Sequence, residues 1–148
     1  MIKKEYTTFL LFFLLIGCNK NMSIDMNKEL LNTDQAFSLL CKEKGMNFAF
    51  LYYVAEEGVI LRANNLPIVG KNKIKDLFQG DDSEIEFSWD PLYADVAKSG
   101  ELGYTYGTYE IYNGESVQKG TYISVWKKDA NGEWKFVLDS GNQGLSSK

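Results

Sequence analysis

The chemistry open to this chain is limited by its residue types, because it contains no histidine. Proton transfer would have to use aspartate, glutamate, tyrosine or lysine. Asp34 is the first candidate, because its spacing places it on one helix face with Leu30, Phe37 and Cys41. A carboxylate on that inward face would be desolvated, which raises its pKa toward the range of a general base. The alternative is a structural Asp34 that bonds a nearby backbone amide or a lysine.

Asp139 is the second candidate, near the end of the last predicted strand. Side chains alternate between the two faces of a strand, so Asp139 and Phe136 should point in opposite directions. A β-bulge between them would reverse that phase. The sequence therefore leaves open whether Asp139 faces a pocket as a catalytic base or serves a structural role at the strand end.

Aromatic side chains are the candidates for binding a ligand, because rings cover an apolar body while hydroxyl and indole N–H groups fix its orientation. Tyr109 is another aromatic residue of the predicted sheet, but it is not among the residues predicted to line a pocket. The alternative for this set is a simple core or a dimer interface. The residues predicted to line a pocket are Tyr53, Trp89, Tyr104, Tyr106, Tyr122 and Trp126.

The N-terminal residues predict where in the cell the protein is located. Lys3 and Lys4 precede an apolar run over residues 9–16, which is typical of a secretory signal peptide and short for a membrane span. The following Leu15-Ile16-Gly17-Cys18 resembles the lipobox of bacterial lipoproteins, in which the cysteine is lipidated and becomes the first residue. We therefore expect a signal peptide over 1–17 and a lipid on Cys18. The protein would then be anchored in the bacterial envelope on an extracytoplasmic face, periplasmic or at the surface.

Charge and cysteine content narrow the partners. The formal net charge is −4, and no run of basic residues is present, which argues against nucleic acid. With Cys18 lipidated, Cys41 would be the remaining cysteine and could form no intrachain disulfide. Without a histidine to activate it, Cys41 is interpreted as a small buried hydrophobe.

The order of elements predicts an α+β domain over residues 29–144, after a polar tether over 18–28 and before a tail over 145–148. Apolar residues recur at helical spacing first, and a period of two takes over after residue 82. Pro91 predicts a bulge, and glycines inside the strands predict a sheet curled around the helices as a cone. Helices are expected at 29–45, 48–55 and 71–78, and strands at 58–62, 66–70, 85–89, 102–112, 117–128 and 134–139.

An ordered set of motifs resembles the SnoaL-like and ketosteroid-isomerase-like branch of the nuclear transport factor 2 superfamily, and more narrowly a bacterial domain-of-unknown-function group. The resemblance implies a cystatin-like cone with a pocket between sheet and helices, and frequent dimerisation through the sheet. It implies no single activity. The motifs are Trp89-x-Pro91, Ala94, Ser99-Gly100-x-Leu102-Gly103-Tyr104-Thr105-x-Gly107, Gly120-x-Tyr122-x-x-Val125-Trp126, Gly132-x-Trp134-Lys135 and Asp139-x-Gly141.

The sequence predicts no cofactor and no metal. Asp129-x-Asn131-Gly132 places its glycine fourth, whereas calcium loops place it sixth. The principal prediction is a lipid-anchored domain that binds a small, partly apolar molecule. One alternative is a proton-transfer isomerase or lyase with Asp34 or Asp139 as base and a tyrosine as acid. Another is a homodimerising interaction module.

Overall fold

Helices occupy the first part of the chain and long strands the rest. The computed structural model describes residues 19–114 and 116–144, so Cys18, the signal segment and the tail lie outside it. The elements are α1 (Asn19–Lys44), α2 (Met46–Tyr53), β1 (Val54–Leu61), β2 (Ile68–Val69), α3 (Lys71–Leu77), β3 (Ile85–Val96), β4 (Leu102–Asn113), β5 (Ser116–Lys128) and β6 (Trp134–Gln143). None of the helices in this part of the chain is both long and apolar enough to cross a bilayer.

The strands form one mixed six-stranded sheet in the order β2-β1-β6-β5-β4-β3. β1 and β6 run parallel, and every other neighbouring pair is antiparallel. β2 lies at one edge, which fits Pro67 just before it. The strand pairing of β3 shifts between Pro91 and Tyr93, so the bulge predicted from Pro91 is confirmed. The α+β prediction is confirmed as well.

α1 is longer than the sequence predicts. It begins at Asn19, so the expected tether is wrong for residues 19–28, which continue the helix. Met26 packs against the core, and Asn27 Oδ1 accepts a hydrogen bond of 2.9 Å from the Val96 backbone N–H. These contacts to the end of β3 stabilise a polar segment as helix, and its composition alone did not reveal them.

The inner face of the sheet makes room for two tyrosine rings at glycines. A Cβ at Gly120 would lie 2.6 Å from the Tyr109 ring, and one at Gly107 would lie 2.8 Å from the Tyr122 ring. Tyr109 is the register partner of Gly120, and Tyr122 is that of Gly107. Each ring therefore covers the glycine of the neighbouring strand, where a side chain would otherwise separate the ring from the sheet.

α1 covers the free edge of β3 through one serine. Ser38 Oγ donates to the Trp89 carbonyl oxygen at 2.8 Å and accepts from the Trp89 backbone N–H at 3.0 Å. β3 is an edge strand, so these backbone groups would otherwise lack a partner in the buried contact with the helix. Ser38 thereby fixes the height of α1 along β3.

Candidate functional site

A cavity of about 940 Å³ lies between the inner face of the sheet and the first two helices. Its two walls differ in chemistry. The apolar wall comes mainly from the helices, β3 and β4, and consists of Phe37, Met46, Phe50, Ile85, Phe87, Trp89, Tyr109 and Ile111. The polar wall comes from β5, β6 and the loop after β1, and includes Arg62, Asn64, Asn65, Gln118, Tyr122, Ser124, Asp139, Asn142 and Gln143.

Asp34 lies beneath the cavity, fully buried on α1. Its Oδ1 accepts a hydrogen bond of 2.8 Å from Trp89 Nε1, and its Oδ2 accepts one of 2.7 Å from the Tyr122 hydroxyl. Burial raises the pKa of Asp34, and the hydrogen bonds from Tyr122, Thr105 and Trp89 lower it by less, so the pKa remains above its ordinary value. The expected partners, a backbone amide or a lysine, are replaced by an indole and a phenol. A catalytic role for Asp34 stays a prediction.

The same carboxylate perturbs Tyr122. Burial raises the pKa of the Tyr122 hydroxyl, and the Asp34 charge and hydrogen bond raise it further. Tyr122 therefore stays protonated and donates its proton to Asp34, while its ring lines the cavity. Trp89 lines the cavity in the same way, with its indole N–H directed to Asp34.

Asp139 faces the cavity because of a bulge in β6. Trp126 pairs with Phe136, but Ser124, two residues earlier on the same face of β5, pairs with Asp139. The extra residue on β6 reverses the alternation, so Phe136 and Asp139 both point inward. The sequence left open whether a bulge interrupts the alternation in β6, and the structure contains that bulge.

Asp139 is partly buried and its carboxylate is poorly neutralised. Ser124 Oγ donates a hydrogen bond of 2.6 Å to Oδ2. Burial raises the pKa of Asp139 to about 6; the Asp34 charge adds to this rise, while the Ser124 hydrogen bond and the Arg62 charge oppose it. A carboxylate with this pKa can exchange a proton near neutral pH.

Tyr109 presents a hydroxyl to the cavity. The residue is 7% exposed, and burial raises its pKa. No hydrogen bond to this hydroxyl is formed within the described part of the chain, and no buried polar side-chain atom there lacks a partner. The hydroxyl is therefore open to the cavity, where a bound molecule could reach it.

Two of the predicted ligand-binding tyrosines lie outside the cavity. Tyr104 and Tyr106 alternate with the inward-facing Thr105, so they lie on the outer face of the sheet, 36% and 44% exposed. Tyr106 stacks on Tyr93 with ring centroids 5.3 Å apart. Their placement in the pocket is therefore corrected, because alternation fixes which residues share a face but not which face is inside. The predicted homodimer, if formed through the sheet, would use this outer face.

Trp126 belongs to the core and Tyr53 is partly buried against it, and neither residue lines the cavity. Trp126 is fully buried and donates its indole N–H to Thr105 Oγ1 at 2.9 Å. Tyr53 packs against Phe37 and Trp126, with ring centroids 4.7 and 6.0 Å apart. Both rings pack behind residues that line the cavity. The prediction that Tyr53 and Trp126 line the pocket is therefore corrected as well.

The sequence reasoning missed Arg62 and Ser124 and did not select Tyr109. Arg62 is the only arginine of the chain and ends the predicted strand over 58–62. A single arginine at a strand end could have indicated a functional residue. Its guanidinium lies 5.4 Å from the centre of the Phe78 ring, at the mouth of the cavity. Within residues 19–114 and 116–144, no group of three or more histidine, cysteine or acidic side chains could hold a metal.

The comparisons with known proteins concern the fold. No family model matches the chain, and no curated protein matches it in sequence. A nuclear transport factor 2-like protein with a cystatin-like fold from Novosphingobium aromaticivorans superposes with a TM-score of 0.68 at 12% identity, covering 92% of this chain and 94% of that one. A ketosteroid isomerase-like protein from Erwinia carotovora atroseptica gives 0.63 at 13% identity, covering 80% and 96%.

An LEH-like epoxide hydrolase from M. tuberculosis superposes with a TM-score of 0.58 at 13% identity, covering 80% of this chain and 84% of that one. At these identities the comparisons show the fold alone. The chain has the cystatin-like fold of nuclear transport factor 2-like proteins, as the resemblance implied.

The raised pKa of Asp139 predicts a pH-dependent cost in stability. Because the folded-state pKa of about 6 exceeds the ordinary 3.8, the folded protein holds this proton more tightly than the unfolded chain. The free energy of unfolding that this group contributes is fully present below the ordinary value and is lost as the pH rises through about 6. Asp139→Asn should therefore be more stable than the wild type near pH 8, by about 3 kcal/mol, and much closer to it in stability near pH 4. Urea denaturation at both pH values measures the difference.

The matched control is Asp95→Asn, which removes the same charge from an exposed side chain of β3. It should show no comparable change with pH. A constant difference between Asp139→Asn and the wild type from pH 4 to pH 8 would contradict the assigned electrostatics.

Proposed function

We propose that the domain binds a small, partly apolar molecule in the cavity between sheet and helices. The observation that carries the proposal is the cavity of about 940 Å³ with an aromatic wall opposite a polar one. Ligand sites in proteins have volumes of about 300–1,000 Å³, with mostly apolar linings and a few convergent polar groups. A cone filled by its own side chains would have argued against binding.

The polar groups of the cavity converge from one side. Ser124 and Asp139 are register partners on β5 and β6, and Tyr122 lies two residues before Ser124 on the same face. Opposite them, Phe87 and Trp89 follow the inner face of β3. A molecule with an apolar face and a polar edge would satisfy both walls together.

Neighbours in structure support the same class of ligand. Two of the solved structures with this fold are described as a ketosteroid isomerase-like protein and an LEH-like epoxide hydrolase. Both names refer to small organic substrates. The fold alone does not transfer those activities to this chain.

Filling the cavity should abolish binding. Wild-type protein should gain stability from a member of a panel of small bicyclic aromatic compounds such as 2-indanone, by about 2.7 kcal/mol at one hundred times its Kd. Ile111→Trp replaces an aliphatic side chain of the cavity wall with a larger aromatic one, so this variant should lose the gain in stability. Ile123→Trp on the outer face should keep it. Thermal unfolding with and without compound measures both. Equal stabilisation of the two variants, or none of the wild type by any compound, would contradict the proposal.

The second candidate function is proton transfer by an isomerase or lyase. It is favoured by the raised pKa of Asp139, about 6, together with the open hydroxyl of Tyr109 in the same cavity. Asp139 would remove a proton from carbon, and Tyr109 would donate a hydrogen bond to the oxygen on which negative charge develops. Asp34 is the weaker candidate for the base, because both its oxygens already accept hydrogen bonds.

Proton transfer predicts exchange of carbon-bound hydrogen with solvent. In D₂O, the wild type should catalyse uptake of deuterium next to the carbonyl of 2-indanone, a ketone with acidic C–H bonds. Asp139→Asn should slow this exchange by at least about 100-fold because it removes the base. Nuclear magnetic resonance follows the exchange, and Asp95→Asn serves as control. Exchange that is no faster with wild-type protein than in buffer would remove this candidate and leave binding intact.

We also propose that Cys18 carries a lipid that holds the domain at an extracytoplasmic membrane face. The support is the signal-like segment and the Leu15-Ile16-Gly17-Cys18 sequence, both outside the described residues. Since α1 begins at Asn19, such an anchor would attach directly to a helix rather than through a flexible linker. The orientation of the cavity toward the membrane would then depend on that helix.

Intact mass tests the anchor. The full-length chain expressed in a bacterium and extracted from membranes should begin at Cys18 and carry the added mass of a diacylglyceryl group. Cys18→Ser should remain unmodified and leave the membrane fraction. A mature wild-type species with an unmodified Cys18 would contradict the proposal.

A further inference from the structure

The cavity has an unbalanced charge, and this bears on which molecules it would take. The argument rests on the proposed binding function and specifies its ligand. Asp139 lines the cavity, and Asp34 lies directly beneath it. The ion pairs formed within residues 19–114 and 116–144 use Lys71, Lys119, Lys128 and Lys135, with acidic partners other than these two.

The two carboxylates are hydrogen-bonded, but by neutral groups. Asp34 accepts from an indole and a phenol, and Asp139 accepts from a serine hydroxyl. Neutral donors satisfy lone pairs and leave the charge in place. Asp139 Oδ1 forms no hydrogen bond with the part of the chain that the structure describes, so one oxygen of the cavity carboxylate is available to a ligand.

Aromatic rings line the cavity that such a ligand would enter. Phe87 and Trp89 have ring centroids 5.1 Å apart, Phe50 lies 5.9 Å from Phe87, and Tyr122 lies 6.3 Å from Trp89. Each of these rings lines the cavity. The faces of aromatic rings carry negative potential and attract cations, most strongly where water is excluded.

Arg62 offsets the charge of this region only in part, because it lowers the pKa of Asp139 but forms no ion pair with it in the described chain. Its side chain is exposed at the mouth and stacks over the Phe78 ring, and it forms none of the ion pairs of the described chain. Partial burial of the guanidinium lowers the pKa of Arg62, and the Asp139 charge opposes this decrease. A positive charge at the mouth and negative charges farther in make the two ends of the cavity different.

We propose that the cavity takes a small organic ammonium ion, with its charged nitrogen beside Asp139 and its apolar body against the rings of Phe87, Trp89 and Tyr109. The ammonium group forms the ion pair with Asp139 that none of the described side chains forms. Its methyl or methylene groups pack on the aromatic wall, where a strongly hydrated metal cation would fit poorly. Arg62 disfavours the same charge at the mouth and so selects its position at depth.

Three probes of equal shape or size test the proposal on the folded domain. They are the benzyltrimethylammonium ion, its neutral isostere neopentylbenzene, and the phenylacetate anion. The wild type should bind the cation with a Kd at least about tenfold lower than that of the isostere, and should bind phenylacetate more weakly than either. Titration followed by tryptophan fluorescence and calorimetry gives the three constants.

Asp139→Asn separates charge from shape. The variant should bind neopentylbenzene as the wild type does, which shows that the cavity is intact, and should lose most of the preference for the cation. Asp95→Asn, the exposed control, should keep that preference. Binding of the isostere or of phenylacetate as tight as that of the cation overturns the ammonium proposal alone. So does an Asp139→Asn variant that keeps the full preference, whereas a wild type that binds none of the three counts against both this proposal and the binding function.

Discussion

The buried carboxylate of Asp34 is the contact on which the arrangement of the cavity depends. One oxygen accepts the indole N–H of Trp89 on β3 and the other accepts the hydroxyl of Tyr122 on β5, so a single side chain of α1 joins two strands separated by β4. Ser38, one turn later, holds the backbone of the same tryptophan. A fully buried carboxylate must keep both partners, because leaving a buried charge unpaired is strongly destabilising. The helix is thereby fixed at one height, and the floor of the cavity with it.

The walls follow from how the sheet is bent and registered. Tyr109 and Tyr122 lie over glycines of neighbouring strands, which lets two large rings sit close to the backbone and leaves space above them. The bulge in β6 then adds a carboxylate to this aromatic surface by bringing Asp139 to the inner face beside Ser124. Without the extra residue, Asp139 would lie outside and the cavity would have no carboxylate on its polar wall. The chemistry proposed for the site therefore depends on one irregularity of strand pairing.

Charge distinguishes this cavity from a simple apolar pocket. Its acidic groups are held by neutral donors, and the only arginine of the chain lies at the mouth over Phe78. This explains why burial and the Asp34 charge raise the pKa of Asp139, and why a cationic ligand and a proton are alternative ways to relieve the same cost. Binding of an ammonium ion and proton transfer from carbon both use that property, although they need different ligands.

The sequence by itself determined the α+β order, most of the strands, the bulge at Pro91 and the inward position of Asp34. These features depend on local spacing, turn residues and proline, which act within a few residues of the chain. Only the tertiary structure decided that Tyr104 and Tyr106 lie outside, that residues 19–28 are helical and that Asp139 lies inside. Alternation relates each strand residue to its neighbours, but the inner face is chosen by what packs on it. One unpaired residue in β6 reverses that choice, and no local pattern in the sequence marks its position.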